Sequence, residues 1–80
     1  MENKLAEQAT KNLIDTIIAA AGVTRYRIAK TTGINQAALQ RYANGDATPS
    51  LAALIKLAQA YGHYPAVAEW FVKTFNLPDR

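Results

Sequence analysis

The apolar residues of this chain recur three and four positions apart from one end to the other, and nowhere do they alternate. Leu13, Ile14, Ile17, Ile18 and Ala21 form one such stripe, Leu51, Leu54, Ile55, Ala58 and Tyr61 a second, and Val67, Phe71 and Phe75 a third. An α-helix repeats every 3.6 residues and a strand every two, so this pattern gives successive helices a face to bury and gives a sheet nothing to pack. The punctuation agrees. Gly22, Gly33, Gly45 and Gly62 each follow a helical run, at the place where a residue able to adopt a positive φ best closes a helix. Thr24 and Asn35 are good N-caps, Thr48-Pro49 sets a cap before a proline at the first helical position, and Pro65 opens a last run that Pro78 closes. The spacing predicts five helices, over 3–21, 25–32, 35–43, 49–61 and 65–76, and an all-α fold.

The joints between these helices are two to five residues long, too short for a flexible linker, so residues 1–80 are expected to form a single domain around one core. A chain of 80 residues buries only about 60 % of its unfolded surface, which leaves little room for a substrate cavity of ~300–1,000 Å³. The chemistry of an enzyme is also missing. There is no cysteine and a single histidine, His63, placed beside Pro65 as a helix-start or surface residue. No glycine loop that could cradle a phosphate and no metal-spaced cluster appears, so no catalytic residue, cofactor or metal is expected. No run of 18 apolar residues exists, and the start MENKLAEQAT lacks the apolar stretch of a signal peptide. These features predict a cytoplasmic protein without a membrane partner.

The net charge of +3 favours acidic partners without identifying one, and its distribution says more. Residues 16–45 hold Arg25, Arg27, Lys30 and Arg41 with no Asp or Glu, a local +4, while five bases and six acids in the rest of the chain leave −1. One segment carries the whole excess.

That segment contains RYRIAKTTGINQAALQRY, from Arg25 to Tyr42, in which a glycine turn joins two short helices. Ala29 is small where the second helix of such a pair must approach closely, Gly33 lets the backbone turn, and Ile28, Ile34, Leu39 and Tyr42 supply apolar contacts. This is a helix-turn-helix pattern. With Asn44-Gly45, Pro49-Ser50-Leu51, Leu54 and Leu57-Ala58 at their respective distances, it resembles the Cro/CI (lambda-repressor-like, XRE) DNA-binding family over residues 13–62. The resemblance implies a five-helix lambda-repressor-like domain, double-stranded DNA as partner, and a phage or bacterial transcriptional regulator that acts by repression. Two departures are visible. The family often pairs an Arg late in its first helix with a Glu just before the Asn-Gly, and Ile18 and Ala43 stand at those positions here. Losing one member of a buried ion pair costs ~3–5 kcal/mol, whereas replacing both with apolar groups is often neutral or better. In addition, Arg25 stands where the family commonly has Gln, and Thr32 where it commonly has a larger apolar residue.

A helical wheel of the third helix places Ala38, Leu39 and Tyr42 on one side and Gln36, Ala37, Gln40 and Arg41 on the other. The second face is short, polar and uncharged except for Arg41, unlike a solvated helix surface of mixed Lys and Glu. Glutamine donates and accepts at once and so matches the N6 and N7 edge of adenine in the major groove, while arginine matches O6 and N7 of guanine. Gln36 and Gln40 are the leading base readers, Ala37 suits a thymine methyl, and Arg41 reaches either a base or a phosphate. Helix N-termini attract anions, which makes Thr24, Arg25, Asn35, Asn44, Thr48 and Ser50 the candidates for phosphate contacts. The resemblance implies backbone-clamping roles for Arg25 and Asn44. Arg27 and Lys30 serve either long-range attraction or an ordinary solvated surface.

One such domain makes few contacts, and affinity usually comes from a dimer that places two recognition helices about 34–36 Å apart on a palindromic site. The last helix is more apolar than one core stripe requires, so Trp70, Phe71, Val72 and Phe75 are candidates for a homodimer interface. Covering the core of a small domain is their competing role. The alternative function is a protein-interaction module, such as an antitoxin or adaptor, whose C-terminal helix binds a protein partner.

Overall fold

The computed structural model describes residues 2–75, which form five helices: α1 Glu2–Ala21, α2 Arg25–Thr32, α3 Gln36–Asn44, α4 Leu51–Tyr61 and α5 Pro65–Phe75. The expected all-α order holds, with boundaries within two residues of those read from the spacing. The closing role of Pro78 lies outside the described residues. α1 is the central element: α3 and α5 both pack on it, α2 packs on α3 and α4, and α4 meets α5. Leu13, Ile14 and Ile17 of α1, Ile28 of α2, Leu39 of α3, Leu57 of α4 and Val67 of α5 are fully enclosed. Since one such side chain stabilises by about 1.5–3 kcal/mol on burial, every helix has a stake in the same core.

The caps are where the sequence suggests, with one exception. The Thr24 side chain accepts from the Arg27 N–H at 3.1 Å, and Asn35 Oδ1 accepts from Ala37 N at 2.7 Å and Ala38 N at 3.4 Å. α4, however, does not start at Thr48-Pro49. Ser50 is its cap, extended at φ −67° and ψ 166°, and its hydroxyl accepts from Ala53 N at 3.1 Å. Two capping residues stand two apart in Thr48-Pro49-Ser50, and the structure uses the later one, so that Pro49 precedes the cap instead of opening the helix.

The buried stripe of α4 also differs from expectation. Ala53, Leu57 and Tyr61 face the core, with Leu54 packed against it, while Leu51 is 74 % and Ile55 47 % exposed. The sequence LAALIKLAQAY is apolar around most of its circumference, so its period does not fix which arc turns inward. In the third predicted stripe Val67 is buried, Phe71 packs on the core and Phe75 is 49 % exposed.

Gly22, Gly33 and Gly45 take positive φ as expected, but Gly62 closes α4 right-handed at φ −68°. There a Cβ would run into the Ala58 carbonyl oxygen, which the Gly62 N–H uses as acceptor at 2.7 Å. The end of α3 is closed twice: the Gly45 N–H donates to the Tyr42 carbonyl at 3.1 Å and the Asp46 N–H to the Arg41 carbonyl at 2.8 Å. This double closure needs Gly45 at φ +78°, a conformation that costs an L-residue about 1–2 kcal/mol. Gly45→Ala is therefore expected to lower stability by about that amount, measured by urea denaturation, and a midpoint equal to wild type would contradict it.

Candidate nucleic-acid interface

The surface formed by α2, the Gly33 turn and α3 is set by which residues the core claims. In α2 the core takes Ile28 and Ala29, and in α3 it takes Leu39, Tyr42 and Ala43. That leaves Arg25, Tyr26, Arg27 and Lys30 exposed on one helix and Gln36, Ala37, Gln40 and Arg41 exposed on the other. The wheel of α3 thus divides as its sequence implies. The turn between the helices is locked twice: the Gly33 N–H donates to the Ala29 carbonyl at 2.8 Å, and the Thr32 hydroxyl donates to the Ile28 carbonyl at 2.7 Å while accepting from Ile34 N at 3.2 Å. Thr32, a departure from the family's usual apolar residue, serves here as a hydrogen-bonded brace for the turn.

Arg25 and Tyr26 of α2 and Gln36, Leu39 and Gln40 of α3 line one shallow hollow of about 230 Å³. One arginine, one tyrosine and two glutamines therefore border the opening, with the buried Leu39 at its base. The structure brings Arg25, expected at a phosphate, beside Gln36 and Gln40, expected at bases. The sequence pattern gives Tyr26 no role. The signal that could have found it is an aromatic side chain placed next to, and not within, the Ile28-Ala29 core stripe.

The candidate phosphate contacts divide into groups. Thr24, Asn35 and Ser50 spend a side-chain oxygen on capping, which leaves the hydroxyl proton of Thr24 and Ser50 and the amide protons of Asn35 able to donate to an anion. Asn44 is exposed at the last position of α3. Thr48 is exposed but borders a different feature, an apolar groove of about 160 Å³ that it shares with Ala6, Thr10, Pro49, Trp70 and Phe75, among others.

Electrostatics favour an anion on the α2–α3 side. The ion pairs found among the described residues are Lys11 with Asp15 at 3.1 Å and Lys73 with Glu69 at 3.2 Å, both on other helices. Arg25, Arg27, Lys30 and Arg41 join neither. Lys30 instead stands over the Tyr26 ring, 5.7 Å from its centroid.

On α5, Trp70 and Phe71 pack partly against the core, whereas Val72 is 44 % exposed. Trp70 meets Phe71 edge-on at 5.0 Å and Phe75 edge-on at 6.2 Å. These aromatics form one cluster, part of which covers the core and part of which faces solvent. Among the described residues no group of three metal-ligating side chains occurs, and no helix is long and apolar enough to cross a membrane.

At the positions of Ile18 and Ala43 the structure is apolar throughout: Ala43 is buried and Ile18 packs on the same core. The ion pair common in the family is replaced as a unit. No curated protein and no solved structure matches the chain. A helix-turn-helix family model of the Cro/CI, XRE-like type matches residues 16–67, from the second half of α1 through the start of α5. The chain belongs to this helix-turn-helix family and is a DNA-binding regulator of lambda-repressor-like fold.

Proposed function

We propose that the chain is a cytoplasmic, sequence-specific transcriptional repressor that binds a palindromic operator as a homodimer, with α3 lying in the major groove. The observation that carries this reading is the exposed face of α3, uncharged except for Arg41 and flanked by the exposed bases Arg25, Arg27 and Lys30 of α2. Gln36 and Gln40 read base edges, Ala37 meets a thymine methyl, and Arg41 engages a base or the backbone. Arg25, Asn44 and the remaining donors of Thr24, Asn35, Thr48 and Ser50 hold the phosphates that set the register. Repression follows from occupying DNA that the polymerase needs.

Selection from random duplex DNA tests the reading: enrichment of a palindrome with half-sites about one helical turn apart supports it, and no enrichment at low salt refutes it. Arg25→Ala is expected to weaken binding to selected and unselected duplexes alike and to lower the slope of log affinity against log salt by about one per chain. An unchanged slope removes Arg25 from the phosphate contacts.

The second copy of the chain docks on α5, which exposes Val72 and Phe75 and carries the Trp70–Phe71–Phe75 aromatic cluster. Sedimentation at micromolar concentration is expected to give a dimer for the wild type and a monomer for Trp70→Ala. A wild-type monomer would move this face to the adaptor reading, in which another protein occupies it.

A further inference from the structure

Tyr26 is 57 % exposed, and the core contacts of its helix come from Ile28 and Ala29, so folding of α2 does not account for an aromatic residue at this position. Its location is specific. Together with Arg25 it forms the α2 side of the hollow whose α3 side is Gln36, Leu39 and Gln40. It lies in the first turn of α2, where the Arg27 amide is taken by Thr24 and the amides of the two preceding residues keep the partial positive charge of the helix start. The Lys30 ammonium is held over its ring at 5.7 Å, which places a cation one helical turn further along the same edge. No acid lies anywhere in residues 16–45.

The chemistry that suits this edge is a unit anionic at one end and apolar at the other. A deoxyribose with its phosphate is such a unit: the sugar offers carbon to an aromatic face, and the phosphate oxygens accept from the phenol, the guanidinium and the ammonium. We propose that Tyr26 is a DNA-contacting residue, and that with Lys30 it grips one sugar–phosphate unit of the backbone beside the base pair that Gln36 reads. The inference rests on the reading of α3 as the groove-facing helix. It assigns Lys30 a defined place at the interface, and it makes the α2 side of the hollow a seat for backbone beside the base-reading glutamines of α3. Tyr26 accordingly adds affinity without adding sequence preference.

The test is an anisotropy titration of the full chain with the selected duplex and a scrambled one, each at two salt concentrations, with thermal unfolding of every variant as the control for folding. Tyr26→Ala is expected to weaken both duplexes about five- to tenfold with melting unchanged, and Tyr26→Phe about two- to threefold through loss of the phenol donor. Lys30→Ala is expected to lower the salt slope by about one per chain, with a smaller loss of affinity when Tyr26 is already alanine. Wild-type affinity in Tyr26→Ala overturns the proposal while leaving the reading of α3 standing. A change in the preferred base sequence in that variant also overturns it, because Tyr26 would then read bases. A wild-type chain that binds neither duplex overturns the α3 reading and this inference together.

Discussion

Ala43→Glu is expected to unfold the domain or leave it barely folded. Ala43 is 4 % exposed and belongs to the shared apolar core, on a helix that packs on α1. A carboxylate there loses its water and meets the apolar core against which Ile18 also packs. An unpaired buried charge of this kind costs about 3–5 kcal/mol, against a total stability for a chain of this length of about 4–12 kcal/mol. Ile18→Arg alone is expected to be milder, because Ile18 is only partly buried and a long arginine stem can carry its head to water. The double variant restores the pair common in the family and is expected to recover part of the loss, giving a coupling of about 1–3 kcal/mol in a double-mutant cycle. Additive losses would show that the two positions do not meet as the family's pair does. A near-wild-type melting temperature for Ala43→Glu would contradict the burial itself.

Gln36→Ala carries the second large effect, on recognition instead of folding. Gln36 is exposed at the first position of α3 and shares the hollow with Arg25 and Gln40. Alanine is the better helix former, and Asn35 still caps the helix through the amides of Ala37 and Ala38, so stability is expected to hold or rise slightly. Binding to the selected duplex is expected to fall by about 1–3 kcal/mol, and selection repeated with the variant is expected to lose preference at one base pair per half-site while keeping the others. An unchanged enriched sequence would remove Gln36 from base readout. The contrast with Arg25→Ala is diagnostic, since removing a group that holds a phosphate weakens every duplex alike.

The architecture was legible because its signals are local. Periodicity, helix-stopping glycines and the caps Thr24 and Asn35 each act within one turn of backbone, so the sequence pattern finds them without knowledge of what packs on what. The same locality explains the misses. Thr48 and Ser50 are both good caps, and the choice between them depends on how α4 must sit to bury Leu57 and Tyr61. The phase of α4 depends on its neighbours too: Leu51 and Ile55 match a helical stripe as well as Ala53 and Leu57 do, and only packing against other helices decides which pair turns inward. On the candidate site, the exposed set on α3 followed directly from the wheel, because Leu39 and Tyr42 fix the inward face. Tyr26 did not follow. Its role is defined by a hollow between two helices, which no pattern along one of them describes.

The central position of α1 has a consequence for the choice of operator. α3 and α5 are both mounted on α1, and α1 itself presents none of the candidate DNA contacts. In the proposed dimer, the offset between each reading helix and the symmetry axis is transmitted through the side chains that wedge these helices on α1, Leu13, Ile14 and Ile17 among them. Spacing between half-sites is then a mechanical property of buried aliphatic residues. Two relatives with identical reading residues would favour operators of different length if they differed only in that wedge.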